Sequence, residues 1–361
     1  MWRSLWAALT AVLITQSLAA EVPGGTERST VYWIQNPECL ADNRPQGAAV
    51  SAMVHQIVQA ATGQDTPKKA WTSLVSPKDR VGIKVSTIGG PGFSTHTEVV
   101  DAIVDGLRMA GVPLDQILVW DRNADTLSAA GYQQRRGGYQ VRSIPPATGY
   151  DPAAAIDTSV IGKLIWGDLL FPKSLTRRLP SGTAQTDPLS QTSHVSRVLS
   201  QEVTKVINVP VLSDSAGCAI AGAIYNLAIP NVDNWRRFVH PDGSGAASLA
   251  ELAAEKAIRS KVVLHLMDAL VAQYAGGPSA SPNYAYAHSS LYAAFDPLAL
   301  DLTALHQLDL WRTSAKLPPL APKARWMLFA EDLGVGIAHP NRIDLVAIPL
   351  KKPHHASTSL P

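Results

Sequence analysis

The sequence predicts an α/β fold built on a mostly parallel, Rossmann-like sheet with flanking helices and an irregular inserted segment. Two observations carry that prediction. The run "RVGIKVS" leads through a glycine-rich loop into an amphipathic stretch and then into "QILVWD". Strand, loop, helix and strand within about forty residues is a βαβ unit, and such a unit implies parallel neighbours. Further apolar runs, "VTKVINVPVL" and "KVVLHLMDAL", then alternate with helical patterns.

Taken in order, "TVYWI" reads as a short strand. Residues 46–63 read as a helix, because Val50, Met53, Val54, Ile57 and Val58 recur on one face. After the "RVGIKVS" strand, a helix is expected from Thr95 to about Ala110, with Thr95-His96-Thr97-Glu98 as a capping box. Its apolar stripe is Val99, Val100, Ile103, Val104 and Leu107. Residues 130–200 are rich in Gly, Pro, Ser and Thr and read as an irregular insertion, apart from "KLIWGDLLF". Helices are expected near 217–228 and 247–259, on either side of "PNVDNWRRF". A last helix should follow Asp296 as N-cap and Pro297 in its first turn, and "RIDLVAIPL" closes as a strand. Residues 351–361 read as a loose tail.

The chain has 361 residues, 46% hydrophobic and 17% charged, with a net charge of +2. A chain of that size buries a large core, and so small a charge gives no field toward nucleic acid or an anionic membrane. Residues 1–20 have the form of a signal peptide: Arg3, an apolar run from Leu5 to Ile14, and small residues up to Ala20. The expectation is a periplasmic or secreted domain over 21–350 with no membrane span after cleavage. The alternative is an uncleaved anchor. Two cysteines, Cys39 and Cys218, admit either one disulfide or two isolated buried thiols. With two cysteines and no Cys-x-x-Cys, an iron–sulfur cluster or structural zinc site is not expected.

The chemistry-bearing residues fall in loops after strands, where parallel sheets bind ligands. Lys84 ends one strand, and Gly89, Gly90, Gly92, Ser94, Thr95 and His96 lead into a helix N-terminus. Free N–H groups there suit an anion, although the loop matches no nucleotide fingerprint, and a plain turn explains the glycines equally well. Asp121, Asn208, Asp214 and Asp268 follow or end other strands. Gly276 and Gly277 open a second glycine loop, which carries Tyr286 and His288. Converging carboxylates suit acid–base work or a divalent cation, so Asp121, Asp214 and Asp268 are the candidate catalytic and metal-binding set. The other reading makes each of them a helix cap or an ion-pair partner. No G-x-S-x-G elbow and no H-x-x-x-H spacing occurs. His265, inside an apolar strand, reads as a core histidine.

Several motifs together resemble the DUF362 family, a group named for having no assigned function. They are "VGIKVSTIGGPGFSTHTEVVDAIVDGLRMAG", "GKLIWGD", "VTKVINVPVLSDSAGCAIAGAIYNL", "HLMDALVAQYAGGP", "AAFDPLALD" and "EDLGVGIAHPNRIDLV", in the family's order. The resemblance is strongest to its secreted members, which lack ferredoxin-like cysteines. The family positions matched in this chain are Lys84, Gly89, Gly90, Thr95, Asp121, Asn208, Asp214, Gly222, Asn226, Asp268, Gly276, Gly277, Asp296 and Asp301, and the resemblance adds Asn226 to the candidate ligand-binding residues. Where the family pattern carries a Lys and a His, and then a Lys-Asn pair, this chain has Ser213, Ser215 and Tyr225-Asn226. Three basic groups are thus missing, which implies a lost activity or a less charged ligand. Two functions follow as expectations: an enzyme, or former enzyme, acting on a small anionic or polar compound with a divalent metal, or a non-catalytic periplasmic binding or accessory protein.

Overall fold

The computed structural model describes residues 27–134, 136–157, 192–239 and 246–350. The stretch expected to be a signal peptide, "KLIWGDLLF" and residues 351–361 lie outside them. Strand β1 (Ser29–Gln35) precedes helix α1 (Gly47–Thr62), whose apolar face is buried and which ends at Gly63 in the left-handed region, φ +65°. A helix not foreseen, α2 (Pro67–Leu74), follows, started by the Thr66 hydroxyl. Strand β2 (Val81–Val85), helix α3 (Thr97–Met109) and strand β3 (Ile117–Trp120) form the expected βαβ unit, with β2 and β3 parallel.

The capping box does not form. Helix α3 starts at Thr97 with His96 as N-cap and no side-chain cap from its own turn. The Thr95 hydroxyl donates instead to the Val209 carbonyl at 2.8 Å and accepts from the Ser86 N–H at 2.9 Å, tying the loop to two strand ends.

After β3 come the short α4 (Ala124–Ala129) and β4 (Gln140–Arg142). The stretch expected to be irregular holds further order: β5 (Tyr150–Asp157) pairs antiparallel with β6 (Thr192–Ser196). The run "VTKVINVPVL" is two strands, β7 (Lys205–Val209) and β8 (Val211–Ser215), because Pro210 has no N–H to carry the ladder through. Next are β9 (Ala219–Ile220) and a helix α5 (Ala223–Ala228) shorter than expected. Two helices, α6 (Ala246–Ala254) and α7 (Lys256–Arg259), replace the single one predicted.

Strand β10 (Val262–Gln273) is long, so Asp268 sits inside it and not at its end. The first part of β10 pairs parallel with β7 and the later part with β8, beyond the Pro210 break. Tyr286 and His288 lie in strand β11 (Ala285–Ala294), a correction to the loop expected there. Asp296 caps α8 (Pro297–Ser314) through the N–H groups of Leu298 and Ala299, with Pro297 in the first turn. The last elements are α9 (Trp326–Asp332) and β12 (Ile343–Ala347).

The main sheet runs β12-β1-β11-β10-β7-β2-β3-β4, with β8 and β9 attached beside β10. Pairing is mostly parallel; β11 is antiparallel to both its neighbours. It is therefore a mixed α/β sheet with helices on both faces. One apolar cluster packs α1, α2 and α3 on one face, and the other packs α5, α6, α8 and α9 opposite. Cys39 belongs to the first and Cys218 to the second, and both are free thiols. The sheet lies between them, which is the arrangement of the second alternative, two isolated buried thiols. Among the described residues, no helix is long and apolar enough to cross a membrane.

Candidate functional site

Alternation along β2 sends Ile83 and Val85 to the α3 face and Lys84 to the α5 face. There Lys84 is completely buried, and its ammonium donates to the Val85 carbonyl (2.6 Å), Asp121 Oδ1 (2.8 Å) and Asn226 Oδ1 (3.2 Å). All three ammonium protons are thus used. Burial pushes the Lys84 pKa down, while the Asp121 charge and hydrogen bond oppose that fall.

Asp121 is equally committed. Its Oδ2 accepts from the Thr87 N–H (2.8 Å) and hydroxyl (2.7 Å), and its Oδ1 also accepts from the Arg122 N–H (2.7 Å). The network continues inward: Asn226 Nδ2 donates to Asn208 Oδ1 at 2.8 Å, and Asn208 Nδ2 meets the Ala223 carbonyl and His265 Nδ1.

Above this network is a cavity of about 360 Å³. Asp121 and Asn226 line it together with Tyr225, Thr126, Trp235 and Arg122. The Arg122 guanidinium lies 5.4 Å from the centre of the Trp235 ring and donates to the Val232 carbonyl. Burial raises the pKa of the Tyr225 phenol, so it stays a neutral donor. Of the expected glycine loop, only Ser86 and Ile88 before it reach the cavity. The loop itself is a turn closed by Gly90 N–H to the Thr87 carbonyl, with Gly90 and Gly92 at φ +66° and +80°. Gly89 is required because a Cβ there would stand 2.2 Å from the Phe93 carbonyl oxygen. Ser94 closes the turn on the Gly90 carbonyl.

The other two acids lie elsewhere. Asp268 faces α3, where its Oδ2 accepts from the His96 N–H and meets His96 Nδ1, each at 2.8 Å; its Oδ1 accepts from the Leu270 N–H. The anion at this helix start is thus the protein's own carboxylate. Burial lowers the His96 pKa, but the charges of Asp268 and Glu98 and the Asp268 hydrogen bond outweigh it, so the net shift is upward. Asp214 accepts from the Gly277 N–H at 2.7 Å, with Arg312 4.0 Å away, and burial raises its pKa. Gly277 is obligatory there, since a Cβ would meet the Asp214 carbonyl at 2.3 Å. Gly277 therefore serves Asp214, and Gly276, at φ +82°, packs against Ser281; neither lines the cavity.

Among the described residues, no three His, Cys, Asp or Glu side chains gather to hold a metal ion. The expected set Asp121, Asp214 and Asp268 is corrected accordingly: strand alternation puts Asp268 on the opposite face, and each carboxylate is bonded to its own protein donors. Thr87, Thr126 and Trp235 were not anticipated as site residues. A β-strand followed by "STIGG" draws attention to glycines, whereas the carboxylate is held by the threonine two residues after the strand.

The sequence profile of the "Domain of unknown function (DUF362)" family matches residues 81–306, more than half of the chain and all of the strands around the cavity. The chain belongs to this family. A comparison with curated proteins finds no match. A solved structure of a Thermotoga maritima protein is similar over 63% of this chain and 51% of its own length, with TM-score 0.37 and 9% identity. Within the DUF362 match fall Lys84, Asp121, Asn208, Asn226 and His265, the whole buried polar network. Where the resemblance leads one to expect basic groups, Tyr225 lines the cavity, and Ser213 and Ser215 are buried in β8.

Proposed function

We propose that this DUF362 chain is a non-catalytic binding protein, exported to the periplasm or beyond, which holds a small polar molecule in the cavity above Asp121 and Asn226. One observation carries the reading: the Asp121 carboxylate already accepts four hydrogen bonds from Lys84, Thr87 and Arg122. A carboxylate so saturated is a poor general base and a poor metal ligand, because either role requires breaking buried charge-assisted bonds. It does serve as a rigid polar floor, beside the walls offered by Tyr225 and Trp235.

The ligand class follows from the lining. Tyr225 replaces an expected cation with a neutral phenol, while Arg122 keeps one positive charge near the wall. A molecule of at most one negative charge, with a planar or apolar part to lie along Trp235, suits that surface.

The test is calorimetry and thermal shift of the mature chain against small carboxylates, phosphate, neutral polyols and divalent ions. Binding of an organic member, lost in Trp235→Ala, is expected. Stoichiometric uptake of a divalent ion that vanishes in Asp121→Asn would instead favour the metal-assisted enzyme.

A further inference from the structure

A second cavity, of about 370 Å³, lies on the same face of the sheet, toward the start of β10. Its walls are apolar, with Ile224, Leu227, Ala253 and Phe295 among them, and the exposed Lys256 and Arg259 stand at its mouth. Among the described residues, the imidazole in its lining is that of His265, 3% exposed.

The tautomer of that imidazole is dictated from the far end of the buried network. Lys84 can only donate, so the Asn226 oxygen must face it. Asn226 Nδ2 then donates to the Asn208 oxygen, which leaves Asn208 Nδ2 to donate to His265 Nδ1. Nδ1 is therefore an acceptor. Burial without a carboxylate partner pushes the His265 pKa down to about 3, so the ring is neutral and its single proton is on Nε2. Among the described residues Nε2 has no hydrogen-bond partner.

We infer that this cavity is a second ligand site, independent of the one above Asp121, and that it takes an aliphatic carbonyl compound. The carbonyl oxygen accepts from His265 Nε2–H, the chain lies against the apolar walls, and an anionic end stays at the mouth near Lys256 and Arg259. His265 lines the cavity and its Nε2 is not sealed from solvent, and a neutral donor among apolar walls selects a carbonyl over a carboxylate at the inner end. The cations at the rim set which end enters first. Arg259 is held in place there by the Ala254 and Gly334 carbonyls.

The experiment uses the full mature chain. Calorimetry compares 7-oxooctanoate, which has a carbonyl near its inner end, with octanoate, which has none. The oxo acid should bind about fivefold more tightly, the worth of one net hydrogen bond of about 1 kcal/mol. Ala253→Leu, which fills the cavity, should abolish binding of both. Equal affinity for the two acids, binding of neither, or full binding by a folded Ala253→Leu chain would overturn the inference. Nitrogen-15 NMR of the ligand-free protein gives an independent reading. His265 should be protonated on Nε2 across neutral pH; a proton on Nδ1 contradicts the site whatever the variant does.

Discussion

The Lys84 ammonium and the Asp121 carboxylate meet at 2.8 Å with the lysine wholly out of solvent. The two residues are unequal in what they lose if parted. Asp121→Ala strands a buried cation with only the Val85 and Asn226 oxygens for company. Such a loss costs about 3–5 kcal/mol. Lys84→Met leaves a carboxylate that still accepts from Thr87 and Arg122, and it fills the space with an apolar chain. Urea unfolding should therefore show Asp121→Ala as clearly the more destabilised variant. If Lys84→Met is equal or worse, Asp121 is not the anchor described.

His96 and Asp268 make stability depend on pH. The folded His96 pKa lies above its ordinary 6.5, so the folded state holds the proton more tightly than the unfolded chain. The pair's contribution is full below 6.5 and is lost as pH rises through the raised folded value. Unfolding midpoints measured from pH 5.5 to 8.5 should fall over the upper part of that range. Asp268→Asn should flatten the fall. An identical slope in the variant would locate the pH dependence elsewhere.

The sequence was informative where physics is local. The βαβ unit was legible because Val99, Ile103 and Leu107 repeat at helical spacing between two apolar runs, and the Asp296 cap because Pro297 follows it. The split at Pro210 was visible in principle, but "VINVPVLSDS" has continuous apolar character that masks it. Asp268 was misplaced because a carboxylate usually ends a buried strand; here β10 outruns β7, and the acid reaches His96 from mid-strand. Lys84 looked like a rim residue. Only the tertiary arrangement of Asn226 and Asp121 makes its burial tolerable, and that pairing spans 142 and 37 positions. Trp235 reaches the cavity wall by a similarly distant packing that no local pattern announces.

The two thiols are separated by the sheet, and burial raises their pKa values to about 11 for Cys39 and about 12 for Cys218. Both should resist alkylation at neutral pH in the folded protein and react fully in denaturant, because the thiolate is the nucleophile. Intact mass after labelling in denaturant should show two adducts without any reductant. A mass that gains labels only after reduction would instead show the Cys39–Cys218 bond.

Gly222 and Asp301 offer the sharpest packing test. The Asp301 carboxylate accepts from the N–H groups of Ala223 and Ile224 at 2.5 and 3.0 Å, which fastens α8 to the start of α5. A Cβ on Gly222 would stand 2.1 Å from Asp301 Oδ1, inside the contact distance of any carbon and oxygen. Gly222→Ala must push the carboxylate off those donors, at about 1–3 kcal/mol for overpacking. Asp301→Ala removes the acceptor and leaves the two N–H groups unpaired, at a similar cost. The two changes address one contact, so they should not add: in the Asp301→Ala background, Gly222→Ala should cost much less, since nothing remains to collide with. Chemical denaturation of the double-mutant cycle measures this directly. Full additivity would mean that Gly222 is needed for its backbone alone and that the close approach of Asp301 has no energetic consequence.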